Sequence, residues 1–179
     1  TRFARALRDV GLAVGEPPVR RGFTPTVFSS LPLLFERAGN SARGTMTAVY
    51  SVLVEDDNDA DPIAEETRSI IDGHIVLSRK LAAANHYPAI DVLRSISRLM
   101  PKIADDEHLE SASRLREYLA RYEDIELLLQ LGEYEPGKDE TADAAIQYHD
   151  AINRFLRQGE HEQARAAETI DALKALFRA

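Results

Sequence analysis

Apolar positions recur along this chain in two rhythms. Phe3, Ala6, Leu7, Val10, Ala13 and Val14 return at helical spacing and stop before Gly15 and Pro17-Pro18, which predicts a short amphipathic helix. A loop rich in Pro, Gly and Arg, Glu16 to Pro25, leads to a second helical stretch, Val27 to Gly39, in which Pro32 forces a late start or a kink. Thr45 to Val54 is rich in β-branched and aromatic residues and too continuously apolar for a strand with one wet face. It predicts a central strand of a parallel sheet. Asp61-Pro62 supplies a cap and a first-turn proline for a helix through Ile71, and Gly73 to Leu77 reads as a short buried strand. Ser78 caps Arg79 to Ala84, and His86 to Asp91 is extended because Pro88 disfavours helix at Tyr87.

After Pro101 the strand signals vanish. Leu109, Ala112, Leu115, Leu119, Tyr122, Ile125, Leu128 and Leu129 keep a helical period up to Gly132. Ala144, Ala145, Tyr148, Ile152, Phe155 and Leu156 form a second stripe, and Ala166, Ile170, Leu173, Leu176 and Phe177 a third. The expected fold is therefore α/β followed by all-α: a mostly parallel sheet with helices over residues 1–103, then a small helical bundle over 104–179. Two or three strands are few for a two-sided parallel sheet, so the first part reads as the end of a larger domain.

Charge divides the chain at the same place. Residues 1–103 hold 13 Lys and Arg against 12 Asp and Glu, whereas residues 104–179 hold 9 against 18. Seven of the eight prolines lie at or before Pro101. The net charge of −8 argues against wholesale nucleic-acid binding. Without cysteine there is no disulfide, no thiolate metal site and no thiol catalysis, and no apolar run approaches the roughly 18 residues of a membrane span. Thr1 to Ala6 continues a helical pattern and does not read as a secretory signal.

Several motifs are decoys. The five histidines, at 74, 86, 108, 149 and 161, never share a helix face at three- or four-residue spacing. Asp57 to Asp61 begins like a calcium loop but has Pro62 and Arg68 where glycine and glutamate are required. Gly132 to Asp139 fits a phosphate loop for seven places, then offers Asp139 where a magnesium-binding hydroxyl belongs. Its setting, after a leucine-rich helix, predicts an inter-helix turn. Three features stand apart from these. They are the proline-stiffened loop with Arg20-Arg21, Tyr87 held before Pro88 at a strand end where α/β folds bind ligands, and Arg98 beside the domain boundary. On the sequence alone the plainer readings are favoured: a surface loop, a packed ring and an ion-pair partner.

The pattern carried by Thr1-Arg2-Phe3-Ala4-Arg5-Ala6, Gly15-Glu16-Pro17-Pro18, Pro25-x-Val27-Phe28, Leu31-Pro32, Glu36-Arg37-Ala38-Gly39, Asp72 to Arg79, His86 to Asp91 and Ser97-Arg98 closely resembles the ATPases of bacterial type III secretion. These drive flagellar export and the virulence injectisome, and are similar to rotary ATP synthase subunits. Leu93 to Ser97 and Tyr118 to Leu128 look nearer to the injectisome members.

The resemblance implies that residues 1–103 are the C-terminal portion of a RecA-like nucleotide-binding domain whose phosphate loop, catalytic glutamate and magnesium-associated aspartate precede Thr1. It implies ATP and Mg2+ as cofactors of the full-length enzyme, with neither held tightly by this portion, which alone is expected to be inactive and monomeric or weakly assembled. Arg98 matches the arginine finger that reaches the γ-phosphate held by the neighbouring subunit of a homo-hexamer, and Tyr87 the aromatic that stacks on adenine. Ile146 and Tyr148 are implied to complete the adenine pocket and Arg2 to order the phosphate site. Val19, Arg20 and Arg21 match the pore-facing loop that holds a central coiled-coil stalk protein. The helical part is implied to bind chaperone–cargo complexes. A negative-regulator or stator protein and the export gate are further implied partners, and no nucleic acid is. The implied location is cytoplasmic, peripheral to the inner membrane. One departure is Glu55-Asp56-Asp57-Asn58, where relatives carry Glu-Gly-Asp-Asp. A rotary ion-translocating ATPase subunit and a non-catalytic adaptor of the same fold are the alternatives.

Overall fold

The computed structural model describes residues 1–54 and 61–178, so the departure at Glu55–Asn58 and most of the calcium-like cluster lie outside the described residues. The described chain forms two compact units, Thr1–Asp72 and Gly73–Ala179.

In the first unit, helix α1 (Arg2–Ala13) packs its buried Ala4 against α2 (Pro25–Phe35). Val27, Leu31 and Phe35 recur every four residues along α2 and line one face of the core. Of the two expectations at Pro32, a late start or a kink, the late start is excluded: α2 begins seven residues before Pro32. Thr24 and Pro25 provide the N-cap position and first-turn proline that open it, and Pro32 sits inside the helix. Helix α3 (Pro62–Ile70) starts as expected: the Asp61 carboxylate accepts from the amides of Ile63 and Ala64 at 2.9 and 3.0 Å. Its Ile63 closes the same core.

The parallel sheet is a correction. Strands β1 (Gly39–Ser41) and β2 (Gly44–Met46) pair antiparallel, and residues 47–54 pair with no strand among the described residues. Apolar, β-branched composition makes a strand only where a ladder partner exists. Here Val49 stays 92% exposed, while the Leu53 amide is satisfied by the Thr1 hydroxyl at 2.7 Å.

In the second unit, β3 (Gly73–Leu77) and β4 (Ile90–Ser97) also pair antiparallel. Ile75 and Leu77 are largely exposed, so the expected buried strand is a hairpin arm instead. Between them, α4 (Arg79–Ala83) is capped by Ser78. A short α5 (Met100–Ile103) follows β4, then α6 (Asp106–Leu131), α7 (Glu140–Leu156) and α8 (Ala166–Ala175). The three long stripes read from sequence are these last three helices. They meet at Leu115, Ile152 and Leu173, with Tyr118, Tyr148 and Phe177 packed around them. Gly132 to Asp139 is the α6–α7 turn: Asp139 caps the Ala142 amide at 2.9 Å and pairs with Arg121 at 2.5 Å. The packing boundary at Asp72/Gly73 therefore lies ahead of the compositional one near Met100, because the β3–β4 hairpin belongs to the same unit as the helices.

Candidate functional site

Arg98 follows the last ladder pair of the hairpin, Ser97 with Gly73, and is exposed. The Ser97 hydroxyl accepts from the Met100 amide at 3.2 Å, opening α5, so the backbone is fixed on both sides of the guanidinium.

The ladder ahead of it is irregular. His74 pairs with Ile96 and Val76 with Asp91, so β3 spends one residue, Ile75, where β4 spends four, Val92 to Ser95. Inside this bulge the Asp91 carboxylate accepts from the Arg94 amide at 3.0 Å. The Ser95 hydroxyl donates to the Asp91 carbonyl at 2.5 Å and accepts from the Val76 amide at 3.0 Å. Val92 packs into the helical core. From α6, the Arg116 guanidinium donates to the carbonyls of Val92, Leu93 (3.0 Å) and Ser95 (3.2 Å).

Tyr87 lies at the other end of the hairpin, the residue 53% exposed and its peptide bond to Pro88 cis. Its carbonyl accepts from the Gln158 amide, just after α7, at 2.9 Å. His86 beside it is buried, and burial first, then the charge of Arg157, holds its imidazole below the usual range. The aromatic face is thus open while its backbone is anchored.

In the first unit the arginine pair sits on a tight turn. The Val19 amide donates to the Phe23 carbonyl at 2.8 Å and the Phe23 amide to the Arg20 carbonyl at 2.9 Å. Arg21 and Gly22 both take positive φ, 45° and 79°, the conformation of a primed hairpin turn that glycine adopts without strain. Val19, Arg20 and Arg21 project as an exposed tip. Its root is fastened by Glu16, whose carboxylate accepts from the Thr26 amide and hydroxyl at 2.8 and 2.7 Å; the Thr26 hydroxyl first of all holds that carboxyl below the usual range. A Cβ on Gly11 would stand 2.6 Å from both the Glu16 carboxylate and the Thr24 hydroxyl, so only glycine lets the loop root close on α1. Arg2 is exposed in the first turn of α1.

Ile146 and Tyr148 are not brought together. Two positions apart on α7, they lie on nearly opposite sides, about 160° from one another. Tyr148 stacks on Tyr118, ring centroids 5.6 Å apart, and meets Phe177, whereas Ile146 is half-buried. Sequence reasoning passed over Arg116, although a signal existed: it lies four residues after Ala112 and three before Leu119, a guanidinium within the apolar stripe. Among the described residues no group of three or more His, Asp and Glu is arranged to hold a metal ion.

A family model described as the ATP synthase alpha/beta family, nucleotide-binding domain, matches residues 1–97, and one described as the T3SS EscN ATPase C-terminal domain matches residues 104–175. A type 3 secretion system ATPase of Xanthomonas euvesicatoria is 53% identical over 98% of this chain and 40% of its own length. The assembled ATPase EscN of the enteropathogenic E. coli type III secretion system superposes with a TM-score of 0.94 at 50% identity, over 98% of this chain and 42% of that one. EscN in complex with its central stalk EscO gives a TM-score of 0.88 at 48% identity, again over 98% and 42%. The chain spans about 40% of the length of the curated relatives it matches.

Proposed function

Because the chain belongs to the ATP synthase alpha/beta family through its first 97 residues, with the C-terminal domain of type III secretion ATPases matched after them, we propose that it is part of an ATPase energising type III protein export. Residues 1–103 contribute to a RecA-like nucleotide-binding domain and residues 104–179 form a partner-binding helical domain. The second match favours export over rotary ion pumping, since it is described as the C-terminal domain of a type III secretion ATPase.

The observation that carries the reading is Arg98: an exposed guanidinium on a backbone fixed by the hairpin ladder behind it and by the Ser97–Met100 hydrogen bond that spans it. A planar, permanently charged group held this way suits the γ-phosphate of ATP bound by a neighbouring subunit of a hexamer, where it offsets charge developing on the transferred phosphoryl group. Tyr87 offers an open π face for adenine on an anchored backbone. The described residues thus fit ATP through a guanidinium and an aromatic ring. Mg2+, which neutralises phosphate charge when bound, finds no such cluster among them. Arg2 serves the order of the phosphate site. The Val19–Arg21 tip faces the pore, its two cations meeting a stalk protein of the kind seen with EscN. The acidic helical domain receives chaperone–cargo complexes, and the hexamer works at the cytoplasmic face of the inner membrane below the export gate, under a negative regulator.

Steady-state ATP hydrolysis by the full-length protein and its Arg98→Ala variant tests this, with oligomeric state measured for both. The expected result is a loss of about 10³-fold in kcat with assembly intact. Unchanged kcat would reduce Arg98 to a structural residue and remove the finger from the reading.

A further inference from the structure

Four consecutive carbonyls, those of Val92, Leu93, Arg94 and Ser95, leave the ladder where β4 bulges, and each finds a donor outside β4. His74 Nε2 stands 3.1 Å from the Arg94 carbonyl, which it satisfies as a donor, and Arg116 takes the remaining three. A guanidinium is the one side chain with enough donors in a rigid plane to do this from a single position. Only Ile96 and Ser97 separate the bulge from Arg98. The pairs His74–Ile96 and Gly73–Ser97 tie Arg98 to β3, but the four-residue bulge before them has no ladder of its own, so the path by which β4 reaches Arg98 depends on the side chains that grip the bulge, Arg116 beside Asp91 and Ser95.

We propose that Arg116 is a positioning residue for Arg98. From α6 in the helical domain it locks the β4 bulge, and thereby holds the finger in register with the γ-phosphate of the neighbouring subunit. The proposal rests on the finger reading of Arg98 and adds to it a dependence on the helical domain. Without Arg116, three carbonyls face α6 with no donor and the bulge relaxes toward water or new partners. A shift of about 1 Å in a catalytic group costs on the order of 100-fold in rate.

The test uses the full-length ATPase with Arg116→Ala, Arg116→Lys, Arg98→Ala, the Arg98→Ala/Arg116→Ala double variant and Arg114→Ala, each checked for melting temperature and assembly. Arg116→Lys keeps the charge and aliphatic stem, which guards against loss of fold, but an ammonium lacks the planar fork and cannot span three carbonyls. Both Arg116 variants are expected to lower kcat, by about 100-fold for Ala and about 10-fold for Lys, with KM for ATP within about twofold of wild type. The double variant should be no slower than Arg98→Ala within about twofold, because misplacing an absent finger changes nothing. A general loss of fold would lower the double variant further.

Arg114→Ala removes the same charge two residues away and should leave kcat unchanged; an equal loss there would overturn the clamp in favour of bulk charge. If Arg98→Ala is slow while both folded Arg116 variants turn over normally, the positioning role falls and the finger reading stands. If Arg98→Ala is not slow, both fall together.

Discussion

Each unit presents arginine on an exposed tip, and the two tips are held in opposite ways. The Arg20-Arg21 tip closes on itself: the Val19 amide bonds the Phe23 carbonyl and the Phe23 amide the Arg20 carbonyl, and Glu16 ties its root to Thr26 ten residues on. The Arg98 tip, besides its ladder to β3, is held from afar. Its bulge is gripped by Arg116 of α6, and the Tyr87 backbone at the far end of the same hairpin is held by Gln158 beyond α7. A self-closed tip keeps its shape whatever happens elsewhere, whereas a tip held by distant helices reports on their packing. The first arrangement suits a contact that must be constant and the second one that must respond.

The sharpest break of this contrast is Ile152→Ala, a residue 1% exposed in the helical core. The cavity should cost about 2–5 kcal/mol. Amide exchange is expected to rise across residues 91–98 while the Val19 and Phe23 amides keep their protection; equal loosening at both tips would deny the difference. Gly11→Ala is the converse experiment. Its new methyl meets the Glu16 carboxylate and the Thr24 hydroxyl at 2.6 Å and should cost about 1–3 kcal/mol as the loop root is pushed off α1. Trypsin should then cut faster after Arg20 and Arg21 with cleavage after Arg98 unchanged.

Acid separates the tips with the smallest effect. Burial and Arg157 hold the His86 imidazole below its usual range, so the unfolded chain takes up that proton first; the stability His86 provides is complete above about pH 6.5 and is lost as pH falls through the lowered value. Glu16 is also lowered, by the Thr26 hydrogen bonds, but from the carboxylate range, so its contribution persists until pH falls well below 5. As pH falls below about 6.5 the Tyr87 amide resonance should therefore shift first, while the Thr26 amide, bonded to Glu16, moves only at more acid pH. The reverse order would contradict both assignments.

What the sequence revealed follows the same division between local and distant causes. Helices α6, α7 and α8 were legible because each carries its own stripe, and the Asp61 and Ser78 caps because a cap acts on the next three residues. The strand expected over Thr45–Val54 was not, since a ladder needs a partner that composition does not reveal. Tyr87 and Arg98 acquired roles only through family likeness. Arg116 was visible as a charge in an apolar stripe, yet nothing along the chain said that its partners lay more than twenty residues back, in a bulge created by unequal strand lengths.

Helix α6 can also be described as a lever. Its 26 residues make a rod of about 39 Å, and its first turn is pinned where Lys174 of α8 reaches Asp105 at 2.9 Å and Glu107 at 3.3 Å. Arg116 sits about 15 Å along the rod, and the exposed Leu131 at its far end about 38 Å. A swing about the pinned turn that carries Leu131 through about 2.5 Å carries the Arg116 position through about 1 Å, so the helix gears a movement at its outer end down to a finer one at the β4 bulge.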